Sequence, residues 1–297
     1  MNKVIVPPIK SQGIKTKLVP FIDKLVPEQQ EGRWIEPFMG TGIVGFNLAR
    51  GPALMCDNNP HIINFYNAIK SGDITGNIVR NYLYSEGDKL RVSGGSYYYK
   101  VRDRFNEIGS PLDFLFLSRS CFNGVMRFNR KGGFNVPFCK KPERFSQAYI
   151  TKIVNQINSV SNIIYNGDFE FCVSDFTNTI ASARKNDILY CDPPYIARHA
   201  DYFNSWDSKD EGVLAEYLSK SEASFIVSTW SHNAYRKNEF IDSIWSGYSR
   251  ITQEHHYHVG AKRINRQGVT EALIYSNDLG PKNTVDYFGV KNEDTLF

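Results

Sequence analysis

The sequence predicts an α/β fold, a doubly wound and largely parallel sheet that carries a long, mainly helical insertion. Three observations carry this expectation: a strand, a glycine loop and a helix in succession near the start, a second buried strand ending in an acid, and a late return of strands alternating with helices. In order, residues 33–38 (Arg-Trp-Ile-Glu-Pro-Phe) read as a short strand closed by a proline turn. Met39-Gly40-Thr41-Gly42 is a glycine loop, and Ile43 to Ala49 has helical spacing. Residues 53–57 (Ala-Leu-Met-Cys-Asp) form the second strand. From 61 to 150 the chain turns helical, aromatic and basic, with a glycine-rich stretch at 124–135. Alternation resumes with strands at Phe169–Val173 and Asp187–Asp192, a helix over 210–220 and a strand at Ser224–Trp230. Residues 248–258 and 270–276 are expected to close the sheet as an antiparallel pair. One unit, residues 1–60 with 151–277, thus surrounds a second, 61–150, and 278–297 reads as a mobile or loosely docked tail.

Composition narrows the class. Of 297 residues, 41% are hydrophobic and 22% charged, as in soluble globular chains. The apolar start is short and broken by Pro7-Pro8, so no signal peptide is expected, and no run approaches a membrane span. The five cysteines are odd in number and form no C-x-x-C pair. Free thiols in a reducing cytoplasm are therefore expected, without a disulfide framework or a zinc-cysteine site. Net charge is only +4, but residues 61–150 hold 14 Lys/Arg against 7 Asp/Glu. A basic middle in a slightly acidic frame fits a polyanion-binding insert; an ordinary solvated face is the plainer reading.

Two motifs carry chemistry. In Glu36-Pro37-Phe38-Met39-Gly40-Thr41-Gly42 the glycines allow the backbone close to a ligand. Asp57 ends the next strand, where an acid accepts hydrogen bonds from a ribose diol. The second motif, Asp192-Pro193-Pro194-Tyr195, is the more specific. An exocyclic amine on an aromatic base is a poor nucleophile because its lone pair is delocalised. Two acceptors aimed at its N–H bonds, the Asp192 carboxylate and the Pro194 carbonyl, would draw the nitrogen towards a pyramidal geometry. Two prolines keep such acceptors rigid, and Tyr195 offers a face for stacking.

Together, E-P-F-x-G-x-G and a later D-P-P-Y resemble the Dam-type, α-group family of DNA adenine-N6 methyltransferases. Asn123-Gly124, Arg127-Phe128-Asn129 and Gly133-Phe134-Asn135-Val136-Pro137-Phe138 match that family's recognition pattern. The tracts Asp192–Trp206 and Ile9–Lys15 are most similar to EcoRV-type modification methyltransferases. The resemblance implies a Rossmann-like methyltransferase sheet that binds S-adenosylmethionine, without a metal, and an inserted target-recognition domain. It implies Lys15, Glu36, Phe38, Gly40, Gly42, Asp57, Asp175 and Phe176 on the cofactor, and Asp192, Pro193, Pro194 and Tyr195 in catalysis. Lys10, Val125, Arg127 and Pro137 would face bases, Asn123 would join them on the DNA, and Phe122 would fill the gap left by a flipped base. Arg119, Arg130, Lys131, Lys140 and Lys141 would contact phosphates. The substrate would be duplex DNA at a GAT-containing site, GATATC above GATC. The enzyme would be monomeric and cytoplasmic, bacterial or phage-encoded, nucleoid-associated, and paired with a cognate restriction endonuclease. Where many members have an aromatic residue and two glycines before the lysine, this chain has Ser11-Gln12-Gly13-Ile14, so Ser11 receives no cofactor role.

Other features receive the bland reading. His255-His256-Tyr257-His258 lacks a matching acid or cysteine for a metal, and Tyr97-Tyr98-Tyr99 reads as packing. His199 and His232 follow strand ends near the site. Two rival functions remain open at this level: an RNA adenine or cytosine-N4 amino-methyltransferase, and a non-catalytic DNA-binding protein on the same frame.

Overall fold

The computed structural model describes residues 3–11, 13–195, 206–233, 235–256 and 268–281. Among the described residues seven strands form one sheet in the order β3-β2-β1-β4-β5-β7-β6. They are β1 (Trp34–Glu36), β2 (Ala53–Asp57), β3 (Phe169–Val173), β4 (Ile188–Cys191), β5 (Ser224–Asn233), β6 (Ser249–His256) and β7 (Gly268–Tyr275). The first five pair in parallel; β7 is antiparallel to β5 and to β6. The expected terminal pair is present.

Period-two alternation sends side chains to both faces, and both faces are buried, as parallel strands require. Ile188, Tyr190, Ile226 and Leu273 join one core; Leu189, Cys191, Phe225, Val227, Ala272 and Ile274 join the other. The short strand β1 has β2 on one side and β4 on the other. The chain runs outward from β1 through β2 to β3 and returns to β4 on the other side of β1, and the crevice at the carboxyl end where the order reverses is where sheets of this kind bind ligands.

Between β2 and β3 lie five α-helices: α3 (Pro60–Ser71), α4 (Gly76–Val92), α5 (Tyr97–Ile108), α6 (Pro111–Ser120) and α7 (Gln147–Asn166); α1 (Val19–Leu25) and α2 (Gly45–Leu48) precede them. Asn59 caps α3, accepting from the His61 amide at 3.0 Å, with Pro60 in its first turn. α6 is buried on all sides, and its Phe114, Leu115, Phe116 and Leu117 join the same core as Trp34 and Met55 of the sheet. The helices thus share a core with one sheet face, and α7 runs across the 150/151 division. After β3 come α8 (Phe176–Ala181), α9 (Ser208–Lys220) and α10 (Phe240–Ser243). α9 opens with a reciprocal cap between Asp207 and Asp210. Leu279 packs on the core, so the start of the tail is docked.

The cysteines correct one expectation. Cys56 and Cys172 are register partners across β2 and β3, Cα atoms 4.9 Å apart, and their sulfurs are bridged. Cys121, Cys139 and Cys191 are free. Strand pairing creates this proximity across 116 residues of sequence, which no local spacing rule detects. Among the described residues no helix is long and apolar enough to cross a membrane.

Candidate active site

The site assembles at the carboxyl ends of β1, β2, β3 and β4. Beyond β1 the glycine loop is tied to β2: the Gly40 amide donates to Asp57 Oδ2 at 2.9 Å, and the Met39 amide to the Cys56 carbonyl. Asp57 Oδ1 also accepts from the Asn59 amide at 2.9 Å. Gly40 and Gly42 have φ of 49° and 73°, in the left-handed region that favours glycine. A Cβ at Gly40 would meet nothing within 4 Å, whereas one at Gly42 would strike the Phe46 ring at 2.5 Å. Gly40 therefore borders open space beside an acid, and Gly42 is needed for internal packing. Glu36 departs from expectation. Its carboxyl is buried, accepts from the Trp34 indole at 2.9 Å, and is pushed by burial up to about 8. It also accepts from the Gly45 amide at the start of α2, and on a strand buried on both faces it does not line the surface.

Asp192 follows β4, beside that loop. Its Oδ1 lies 2.9 Å from Lys15 Nζ, with side-chain exposures of 23% and 6%. Burial pushes the Asp192 carboxyl up to about 6; the Lys15 ammonium pulls it down and Glu271 adds to the rise. Lys15 also stands 4.7 Å over the Tyr195 ring, a cation–π distance. The sequence placed Lys15 on the cofactor alone; the fold brings its ammonium onto the catalytic motif. The Tyr195 hydroxyl donates to Glu271 on β7.

On the other side of the glycine loop, Phe38 and Phe176 stack at 5.3 Å, and Trp206 contacts them at 5.5 and 5.4 Å. Trp206 is held by its indole N–H donating to Glu211 at 2.6 Å. Asp175 is exposed at the start of α8, where it caps the Thr177 amide at 2.9 Å. Neither Trp206 nor Glu271 was singled out in the sequence. A lone acid directly before the apolar run Ala272-Leu273-Ile274 was the available signal for Glu271.

The residues expected on DNA mostly gather on one irregular segment after α6. Isolated bridges Cys121↔Phe138 and Phe128↔Phe134 fold it back on itself, and the Phe122 amide donates to the Pro137 carbonyl. His61 stacks on Phe128 at 5.1 Å and anchors it to α3. Phe122 is 52% exposed, and Asn123, Arg130, Lys131, Pro137, Lys140 and Lys141 are exposed with it. Lys10 packs against Gly124, where a Cβ would meet its chain at 2.6 Å, and Val125 is half-buried. Arg127 Nε donates to Asn135 Oδ1 at 2.8 Å. Arg119 is a correction: it is 6% exposed, and its guanidinium donates to the Pro8 carbonyl, Gln156 and the Tyr149 hydroxyl. It lies on an all-buried helix, so it clamps the N-terminal segment instead of meeting phosphate. His199 and His258 lie outside the described residues. His232 Nε2 is 3.2 Å from the Thr270 hydroxyl. Among the described residues no His, Cys, Asp and Glu cluster could hold a metal.

Comparison with known proteins accords with this geometry. The family model of the D12 class N6 adenine-specific DNA methyltransferases matches residues 11–259. A DNA adenine methylase of Vibrio cholerae is 31% identical over 226 residues, which cover 72% of this chain and 76% of that protein. A DNA adenine methylase of Haemophilus influenzae is 32% identical over 194 residues, 64% of this chain and 63% of the other. A type II methyltransferase of Lactococcus lactis is 31% identical over 206 residues, 66% and 68% of the two chains. An adenine-specific DNA methyltransferase, the chain belongs to the D12 class N6 family.

Proposed function

We propose that the chain methylates adenine N6 at a GAT-containing site in duplex DNA, GATATC above GATC, after flipping the base from the stack. The observation that carries this reading is the turn at Asp192: a half-buried carboxylate, pinned by Lys15 and followed by two prolines and a tyrosine, beside a glycine loop that borders open space. S-Adenosylmethionine, the methyl donor that the family implies, supplies when bound a methyl activated on a sulfonium. The residues present fit it. Asp57 retains lone pairs for a ribose diol, Gly40 leaves room for close approach, and Phe38 and Phe176 offer apolar faces to an adenine whose amine Asp175 would accept from.

A duplex hides the N6 amine, so the target base must leave the stack. Asp192 then accepts one N6–H and the Pro194 carbonyl the other, which localises the nitrogen lone pair. Tyr195 holds the ring plane. The fixed loop supplies these acceptors without reorganisation, and positioning supplies the rest.

Residues 61–150 serve as the target-recognition region. Arg127 reads a guanine edge, Val125 and Pro137 meet thymine methyl groups, Asn123 adds a polar contact, and Lys10 reaches the bases from below. Phe122 fills the vacated stack, while Arg130, Lys131, Lys140 and Lys141 meet phosphates. The enzyme acts as a monomer in the cytoplasm, and we take it to protect DNA against a restriction endonuclease of the same specificity. Two measurements test the proposal. Modified-base sequencing of DNA from cells expressing the chain should return N6-methyladenine in one GAT-containing context. Asp192→Ala should abolish that mark while DNA binding persists; full methylation by the variant removes the assigned role.

A further inference from the structure

We propose that Glu271 is a positioning residue for methyl transfer: from the buried face of β7 it accepts a hydrogen bond from the Tyr195 hydroxyl and fixes the plane of that ring against the target base. The inference rests on the assignment of Tyr195 to the base made above.

Glu271 is 1% exposed. It stands opposite Trp230 on β5 and Gln253 on β6, and shares a sheet face with the core residues Leu273 and Tyr275. A carboxylate in such a place costs several kcal/mol in desolvation unless it is well partnered, and a sheet gains nothing from it that an apolar residue would not give. One partner is the hydroxyl of the last residue of the catalytic motif. Tyr195 is thereby held at two points, its hydroxyl by Glu271 and its ring face by the Lys15 ammonium at 4.7 Å. A tyrosine on a turn would otherwise sample several rotamers, and stacking on a base needs one of them. Locking it beforehand removes that entropy cost from the reactive complex. The bond also spans the site: β7 reaches the catalytic turn from beyond β5, so the antiparallel edge of the sheet braces chemistry performed at its parallel centre.

The test uses the full chain with Glu271→Ala, Glu271→Gln, Tyr195→Phe, Tyr195→Ala and the Glu271→Ala/Tyr195→Phe double variant. Steady-state kinetics on duplex DNA and thermal melts are recorded for each. Glu271→Ala should lower kcat about ten-fold with KM for the donor little changed. Tyr195→Phe should match it, and the double variant should be no slower than either single one. Glu271→Gln, whose amide oxygen still accepts, should recover most of the loss. Additive losses, an unchanged kcat in Glu271→Ala, or no recovery by glutamine would overturn the proposal. Should Glu271→Ala fail to fold, Tyr195→Phe and Glu271→Gln decide the matter, because the hydroxyl deletion alone must reproduce the kcat loss at an unchanged melting temperature. A Tyr195→Ala variant with full kcat would instead remove the assignment of Tyr195 to the base. Impaired Tyr195→Ala beside unimpaired Glu271→Ala removes only the role of Glu271.

Discussion

Replacing Lys15 by methionine probes the electrostatics of the catalytic turn, because it deletes a charge while keeping an unbranched side chain only one atom shorter. The Lys15 ammonium lies 2.9 Å from Asp192 Oδ1, and neither group is well solvated. Burial has already pushed the Asp192 carboxyl up to about 6, with Lys15 pulling against that rise. The proposed role needs the carboxylate, so activity is lost as pH falls through about 6. A neighbouring opposite charge lowers a carboxyl pKa by roughly 1–3 pH units. Its removal, taken at about one to two pH units, carries the acid limb to between about 7 and 8. At pH 7 the ionised fraction then drops from about nine-tenths to between about one-half and one-tenth, a loss of about two- to ten-fold that disappears by about pH 9. The assay is kcat at saturating methyl donor and fixed DNA concentration across the pH range, with Lys15→Arg as the charge-preserving control. An acid limb in Lys15→Met that stays where it was, or moves lower, refutes Lys15 as the controlling cation.

Arg119→Ala should destabilise the protein without changing how DNA binding depends on salt. It strands the buried Pro8 carbonyl, at about 1–3 kcal/mol, and removes a contact to the half-buried Gln156. The melting temperature should fall by several degrees, and a normal melt with a shallower salt slope would return Arg119 to the phosphates. Arg130→Ala and Lys131→Ala should do the reverse, each lowering the salt slope by about one with the melt unchanged. Arg127→Ala should relax discrimination at one base pair by about 1–3 kcal/mol, read as cleavage protection on cognate and single-mismatch sites. Asn135→Ala, which removes the 2.8 Å side-chain contact to Arg127 Nε, should act in the same direction more weakly; unchanged site preference in both would contradict base reading by Arg127.

Much of this protein is local information. The strand–glycine–helix sequence at 33–49, the acid at Asp57 and the rigid Asp192-Pro193-Pro194-Tyr195 turn are written in consecutive residues, and their backbone consequences follow from steric rules that act over a few bonds. The doubly wound sheet and its closing antiparallel pair could therefore be read directly, as could the family. What tertiary structure alone decided are the meetings between distant residues. Whether Arg119 faces phosphate or the Pro8 carbonyl depends on which side of α6 is covered, and α6 is covered on all sides. Lys15 meets Asp192 across 177 positions of chain only because the fold brings the N-terminal segment to the turn that follows β4. Strand register sets Cys56 against Cys172, and the covering of both sheet faces buries Glu36. Glu271 reaches Tyr195 because β7 lies two strands from β4 in space, whatever its distance in sequence. Local sequence fixes the conformation of a segment, whereas the partner of a buried charge is chosen by packing, since desolvation makes an unpaired charge costly wherever the fold encloses it.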